Sequence, residues 1–513
     1  MGKLLPQFTK AVIEDIVSAI TSNTAQYYGF VANPILNTGN TPVITSDDYT
    51  TTFENEWQML FGKKLANTDI LPIINKNQWA ANTVYMRYDN TQDISNSNFY
   101  VSVQPAITGG VWNIFKCIDN GGNTNPSTQI PDQIQAASFT KSDGYTWRYI
   151  TSISNFDYNR LATTTYIPVY PNTTIQAGAY NYSGVEVIPV INSGSGYSTW
   201  NNGVVQGIVN STLIQIQSTA STSSNFYTRN GIYFYNIGSA TGQLRTVSQY
   251  VSNLSGNWVY LDTQVNTAQI ISNQTEYLIS PKVVFTTDGD QDPAAYSVIN
   301  PISNGISNIV IIQTGYGISW ANVSIQSNNS YGSGANIYAI VPPAGGHGAN
   351  PANELMVQGA GFSFNFANTE GNTIPQTVTY NKIGIVKSPY TINANTGVKG
   401  SVPYTGNTFI SIIEANVSPA TTFTVGDTVT GQTTSALGTV AFSNSTTLYL
   451  TGDKYFANNE MIVSSNESQS TSLVINTRGN VYTKDMIPVY IQNINNVNRS
   501  SGRVESFKLI VQI

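Results

Sequence analysis

Charge is scarce in this chain: Asp, Glu, Lys and Arg make up 10 % of its 513 residues, against about 25 % in ordinary globular domains. Disorder of the charged kind is nevertheless excluded, because hydrophobic residues supply 40 % and aromatics 11 %. The 22 Lys and Arg against 28 Asp and Glu leave a net charge of −6. They are too few and too scattered to neutralise phosphates, so nucleic acid is not an expected partner. The single cysteine, Cys117, excludes an internal disulfide framework, and the single histidine, His347, excludes most metal sites built from several histidines. No cofactor is expected: a Walker A segment and a complete Gly-x-Gly-x-x-Gly are both absent. No apolar run approaches the about 18 residues of a membrane helix, and Pro6 interrupts the Leu4-Leu5 pair. Neither a signal peptide nor a membrane insertion is expected.

What is present reads as β structure. After two early helical patterns the chain is a succession of short β-branched and aromatic runs divided by Gly, Asn, Ser and Pro. The first helical pattern sets Val12, Ile13, Ile16, Val17 and Ile20 on one stripe behind Thr9 as N-cap. The second starts at Ser46, with Asp47 and Asp48 at its positive end and Tyr49, Phe53, Trp57 and Leu60 on one face. Strands are expected at 111–118, 185–191, 309–312, 448–450 and 507–511. The expected class is mainly β: a multidomain, β-sandwich-like core with inserted small β modules and a few short N-terminal helices.

Internal similarity divides the chain. Residues 185–191 lead to Gly196-Tyr197-Ser198-Thr199-Trp200, and residues 309–312 lead to Gly315-Tyr316-Gly317-Ile318-Ser319-Trp320. The second copy continues through Val323 and Ile325 to Gly332, Gly334 and Ala335. The first resumes only at Val283 and Phe285, so about 203–277 reads as an insertion. Farther on, Phe423, Gly426-Asp427 and Val429 recur as Phe456, Asn459-Glu460 and Ile462. The expected plan is 1–180 as the first part of a core, 181–341 as a β-repeat domain, 342–404 returning to the core, 405–475 as an inserted β module and 476–513 as closing core strands.

Motifs that carry chemistry are weak. The Gly345-Gly346-His347-Gly348 run has no Gly-x-Ser-x-Gly nucleophile elbow beside it and reads as a turn. Cys117 lies in an apolar run and reads as core. Asp288, Asp290 and Asp292 alternate like the start of a calcium loop, but Pro293 and Ile299 occupy its glycine and glutamate positions. Two carboxylates, for instance among Asp143, Glu354 and Asp427, would suffice for polysaccharide hydrolysis, although no sequence rule selects such a pair. No catalytic residue is assigned, and the chain is not expected to be an enzyme.

Several segments do carry a resemblance. The run Met59-Leu60-Phe61-Gly62-Lys63-Lys64, then Ile70-Leu71-Pro72, Trp79 and Arg87-Tyr88-Asp89, resembles the gene product eight type of baseplate wedge protein of T-even-like contractile-tailed bacteriophages. So do Trp112 through Cys117 to Asp119, Asp143-Gly144-Tyr145-Thr146-Trp147, residues 382–389, Tyr490-Ile491-Gln492-Asn493, and Arg499 with the closing run 505–511. The resemblance implies a structural subunit, homodimeric and contacting other baseplate wedge and tail proteins, located in the virion after assembly in the cytoplasm of the bacterial host. It brings no catalytic residues; Trp79, Trp112, Cys117, Asp143, Gly144, Tyr145, Trp147, Tyr490 and Arg499 are its motif positions. The alternative is a host-surface carbohydrate-binding or depolymerising tail spike, but spikes of that kind stack many similar β-helix repeats, and the repeats here are few and unlike one another.

Overall fold

A computed structural model describes residues 5–33, 56–104, 110–122, 125–236, 242–326, 331–367, 378–393, 396–452, 455–465, 468–499 and 504–513. The chain is mainly β, with 47 % strand and 10 % helix in many sheets. It divides into two compact units: Met1–Ile74 with Asn159–Pro168 and Val357–Ile513, and Asn75–Tyr158 with Val169–Met356. No helix among the described residues is long and apolar enough to cross a membrane.

The first helix is Pro6–Thr21, starting four residues earlier than a Thr9 cap implies. Pro6 at its first turn presets the backbone angle and needs no hydrogen-bond partner for nitrogen, so Leu5 becomes the cap and Thr9 is buried inside the helix. Ile13 is the buried centre of the expected stripe. The second expected helix, from Ser46 through Phe53, lies outside the described residues; 56–58 are helical, and Leu60 already belongs to the strand Met59–Lys64.

In the first unit two sheets face each other. One has the order Thr408–Ile410, Met59–Lys64, Tyr27–Ala32, Thr379–Lys387, Ile487–Asn498; the other is Glu505–Gln512, Gly359–Phe366, Ile70–Asn75, Tyr166–Pro168. Phe61 meets Phe366 edge-on at 4.9 Å, and Phe364 stacks on Phe507 at 5.1 Å. Gly29 is a glycine because any Cβ there would overlap the Phe364 ring. This is a β-sandwich.

Residues 413–477 of the same unit form a closed six-stranded barrel around Phe423, Val429, Val440, Leu450, Phe456, Ile462 and Leu473. It is built from two copies of a three-stranded repeat. The displacement that carries Val429 to Ile462 also carries Gly426 to Asn459 and Val440 to Leu473. Hydrogen bonds repeat with it: Gly426 N–H to Val440 O at 2.8 Å and Asn459 N–H to Leu473 O at 2.7 Å, then Val440 N–H to Asp427 O and Leu473 N–H to Glu460 O, both 2.9 Å. Gly426 and Asn459 both have positive φ, 95° and 64°. The second strands pair symmetrically, Val429 with Ser464 and Gly431 with Ile462. First strands pair with each other, and each also pairs with the third strand of the other copy.

The second unit contains the sheet Tyr100–Val103, Val111–Asp119, Thr146–Ser154, Phe139–Thr140 and a second interlocked repeat. There Val190–Ser195 pairs with Ser333–Ile337 and Ala294–Ile299 with Ile306–Gln313, while Lys282–Thr287 pairs with Ala321–Gln326 across the centre, Val283 opposite Ile325 and Phe285 opposite Val323. First strand to the other copy's third, and second to second, is the topology of the barrel again. The expected strand 185–191 is corrected: ladder pairing begins at Val190, with an isolated bridge from Val187 to Ile340. Pro189 between them has no N–H to give. Between Asn201 and Ser280 the chain makes a seven-stranded antiparallel sheet whose core, including Ile232, Phe234, Tyr250, Val259 and Tyr277, is its own.

Candidate functional site

The densest polar constellation is buried in the second unit. Lys116 and Arg148 are register partners on adjacent strands. Each lies amid an apolar run, Ile114-Phe115-Lys116-Cys117-Ile118 and Trp147-Arg148-Tyr149, so neither can escape the interior. Two carboxylates come to meet them. Glu354 ends the helix Pro351–Glu354, which Asn350 caps through the Asn353 amide. Glu186 follows the helical turn Ala179–Tyr182.

His347 is delivered by the glycine turn. Gly346 and Gly348 have φ of 91° and 83°, and added Cβ atoms would overlap the Ala179 carbonyl and the Ile175 side chain respectively. Only glycine satisfies both the angle and the approach. The Lys116 ammonium then donates to Glu354 Oε1 at 2.9 Å and sits 3.3 Å from the Tyr88 ring centre. His347 Nδ1 is 2.6 Å from Glu354 Oε1, a distance that requires a proton on that nitrogen, and Gly348 N–H donates to Glu354 Oε2 at 2.7 Å. Arg148 donates to Glu186 Oε1 at 2.8 Å and to Ser138 Oγ at 3.1 Å.

Burial dominates the electrostatics. It pushes Lys116 down to about 8 even though Glu354 pulls the other way, and it holds His347 below its ordinary value, with Lys116 adding to the effect. Burial alone would raise Glu354; Lys116, His347 and the Gly348 amide outweigh it and hold the carboxyl at about 2. The network is therefore two cations, two carboxylates and a neutral imidazole, with Glu186 Oε2 left without a hydrogen bond 3.6 Å from His347 Nε2. Lys116, His347 and Glu354 side chains are at most 2 % exposed. Their chemistry is that of a tie: they fix the 345–354 turn and helix to the strand pair.

The motif residues gather around this tie. Tyr145, Trp147 and Tyr149 share one core with Tyr85, Phe115, Cys117 and Phe139, against which Trp79 packs half-buried. Cys117, next to Lys116, points to the opposite face of the strand. Its thiol is pushed up chiefly by burial, and the strand turns it away from the side that His347 occupies. Trp112 stacks on Tyr158 at 4.0 Å. Asp143 accepts from the Thr128 and Gln129 amides at 2.8 and 2.9 Å and from Ser127 Oγ–H, which together overcome burial and hold its carboxyl low. Gly144, at φ 88°, makes the turn into the strand.

Tyr490 and Arg499 belong to the first unit. Tyr490 is half-buried on Ile487–Asn498, and Arg499 makes a two-pronged pair with Glu505 at 2.8 and 2.9 Å beneath the Phe61 ring. Asp427 lies half-buried in the barrel repeat. Asp288, Asp290 and Asp292 are each used locally: by the Ser319 and Trp320 amides, by Tyr180, and by Thr287. Among the described residues no three His, Cys, Asp or Glu side chains are grouped to hold a metal.

Sequence reasoning missed Lys116, Arg148 and Glu186 as a set. A signal existed: in a chain so poor in charge, a Lys and an Arg inside aromatic strands require buried carboxylates. No family model matches this chain, and no curated protein matches it.

Proposed function

We propose that this chain is a structural subunit of a contractile phage tail baseplate wedge: a homodimer that bridges other wedge proteins, assembled in the bacterial cytoplasm and carried in the virion. The observation that carries the reading is where the resembling residues fall. Cys117, Tyr145 and Trp147 build one core, Asp143 and Gly144 make the turn into its strand, and Trp112 is buried against Tyr158, so these residues are architectural. Residues so placed serve the shape of the fold. The scarcity of charge supports the same reading, since wide permanent interfaces form with little desolvation cost when few ions are buried.

The test is to purify the full chain and weigh it in solution. A species of twice 55.6 kDa, together with the chain's presence in purified contractile-tailed particles and loss of baseplates when its gene is disrupted, is the expected result. A trimer that turns over a host polysaccharide, and loses that activity on one carboxylate substitution, would replace this reading with that of a depolymerising spike.

A further inference from the structure

The seven-stranded sheet has a second face, and a glycine leaves a hole in it. Ile232, Val247 and Ile279 belong to the sheet's own core. Their chain neighbours Gly231, Thr246 and Ser280, register partners on three adjacent strands, therefore share the opposite face. Neither a clash nor a left-handed backbone requires glycine at 231: an added Cβ would meet nothing closer than 3.7 Å. The missing side chain opens a cavity of about 130 Å³, close to the about 150 Å³ that holds one benzene ring in an engineered core. Lys282 and Tyr296, opposite each other on the neighbouring strand pair, line its other side, and Leu244, Pro281, Val283 and Ala295 add apolar wall. The Tyr296 ring is fixed by stacking on Tyr233 at 4.8 Å.

Polar groups with capacity to spare converge on this space. Asp262 Oδ1 accepts the Thr246 N–H at 3.0 Å and the Thr263 hydroxyl at 3.2 Å, and Oδ2 accepts neither. Burial acts to raise the Asp262 carboxyl, those hydrogen bonds lower it, and Lys282 lowers it further. Lys282 thus lies within electrostatic reach of Asp262, yet among the described residues the two make no ion pair, and both line the cavity between them. Ser280, 1 % exposed, has a hydroxyl that bonds to none of the described residues. Arg245 is engaged elsewhere, by the Gln264 and Leu244 carbonyls at 2.8 and 2.7 Å. A bound anion would face Asp262 and a bound cation would face Lys282. The complementary ligand is neutral and offers a donor beside an acceptor.

We propose that this cavity binds one pyranose ring of a glycan. Neighbouring hydroxyls are the donor and acceptor it asks for: one donates to Asp262 Oδ2 and the next accepts from Lys282 Nζ–H. A third meets the Ser280 hydroxyl on the floor, and the ring's C–H groups lie against Tyr296 and Leu244. Asp262 is the one carboxylate in the lining, and glycoside hydrolysis ordinarily takes two, so the site holds sugar without cleaving it. The inference rests on the cavity alone and stands whether or not the wedge reading does.

The experiment is saturation-transfer NMR on the full chain with the methyl glycosides of glucose, galactose, mannose and N-acetylglucosamine. At least one binds saturably at millimolar concentration, with saturation received by its ring protons. Gly231→Val fills the cavity from a position with room for a side chain, and Asp262→Asn keeps the Oδ1 acceptor while removing the charge; each weakens binding at least tenfold without lowering the melting temperature. Lys282→Met, which removes a half-exposed side chain free of hydrogen bonds, weakens binding likewise and decides the matter if Gly231→Val does not fold. L-leucine and inorganic phosphate serve as competitors, and neither displaces the glycoside. Displacement by leucine would assign the cavity to a zwitterion, and displacement by phosphate to an anion; either overturns the proposal. Absence of saturable binding by all four glycosides, or binding that survives Lys282→Met and Asp262→Asn unchanged, would overturn it too.

Discussion

Lys116 Nζ and Glu354 Oε1 lie 2.9 Å apart with neither side chain more than 1 % exposed. A pair so placed has no water to fall back on, so removing one member leaves the other as an uncompensated buried charge. Glu354→Gln is expected to cost about 3–5 kcal/mol in chemical denaturation. Replacing both, as Lys116→Met with Glu354→Leu, is expected to recover most of that loss. A double variant as unstable as the sum of the two single ones would mean the pair is not coupled as its geometry implies.

The same network sets a pH dependence. Glu354 is held at about 2 in the folded chain against an ordinary 4.5, so the unfolded chain takes up its proton first as pH falls. Its contribution is complete above about 4.5 and is lost between about 4.5 and about 2, roughly 3 kcal/mol at about 1.4 kcal/mol per unit. His347, also held below its ordinary 6.5, has the same sign and starts the decline below that value. Glu56, raised to about 7 chiefly by burial, has the opposite sign. The measurement is therefore the difference between wild type and Glu354→Gln, whose gap in stability should narrow steadily below pH 4.5. A constant gap down to pH 2 would remove Glu354 from the account.

Trp147 and Gly144 should fail for different reasons. Trp147 is fully buried between Tyr85 and Tyr145. Trp147→Ala leaves a cavity and is expected to cost about 3–5 kcal/mol. Gly144 has open space where a Cβ would go, so Gly144→Ala meets no clash and costs only the left-handed backbone, about 1–2 kcal/mol. Calorimetry that ranked the glycine change above the tryptophan change would reverse this assignment.

How much of this was legible beforehand depended on whether a contact is local or long-range. The Phe423 and Phe456 repeat could be read because each copy uses the same small set of residues at the same spacing, and Gly426 and Asn459 are the residue types that tolerate positive φ. The strand 111–119 and its tryptophan were visible for the same reason. The partner of Lys116 was not: Glu354 is far away in sequence, and nothing local distinguishes it from Asp143 or Asp427.

Equivalent barrel positions should respond alike. Phe423 and Phe456 are both buried in the same core, one from each copy. Alanine at either is expected to cost about 3–5 kcal/mol, with the two values within about 1 kcal/mol of each other. At the turn the copies differ, because Asn459 already carries a side chain at positive φ where its counterpart Gly426 does not. Asn459→Gly should therefore be nearly neutral and Gly426→Ala destabilising. Similar losses from both turn changes would argue against the repeat's symmetry.

The inserted modules should be removable, because the chain leaves each one beside the place it enters. Asn480 N–H donates to Ile410 O at 2.9 Å, and the Asn480 side chain accepts from Ile410 N–H at 2.8 Å, across the base of the barrel. Asn201 lies opposite Ile279 across the base of the seven-stranded sheet. Ends held as antiparallel neighbours are about 4.5–5.5 Å apart, a gap that a short Gly-Ser turn closes. Loop closure grows only slowly with loop length, so exchanging a folded module for a turn changes the host by a small entropic amount. Each module also keeps its own apolar core, so its removal exposes little of the host's. Variants lacking residues 413–477 or 203–277 are therefore expected to stay soluble and unfold cooperatively, and the excised barrel to fold alone. Thermal unfolding of the three proteins decides it: aggregation of both deletions, with an unfolded barrel, would mean that these sheets lean on their hosts more than their separate cores indicate.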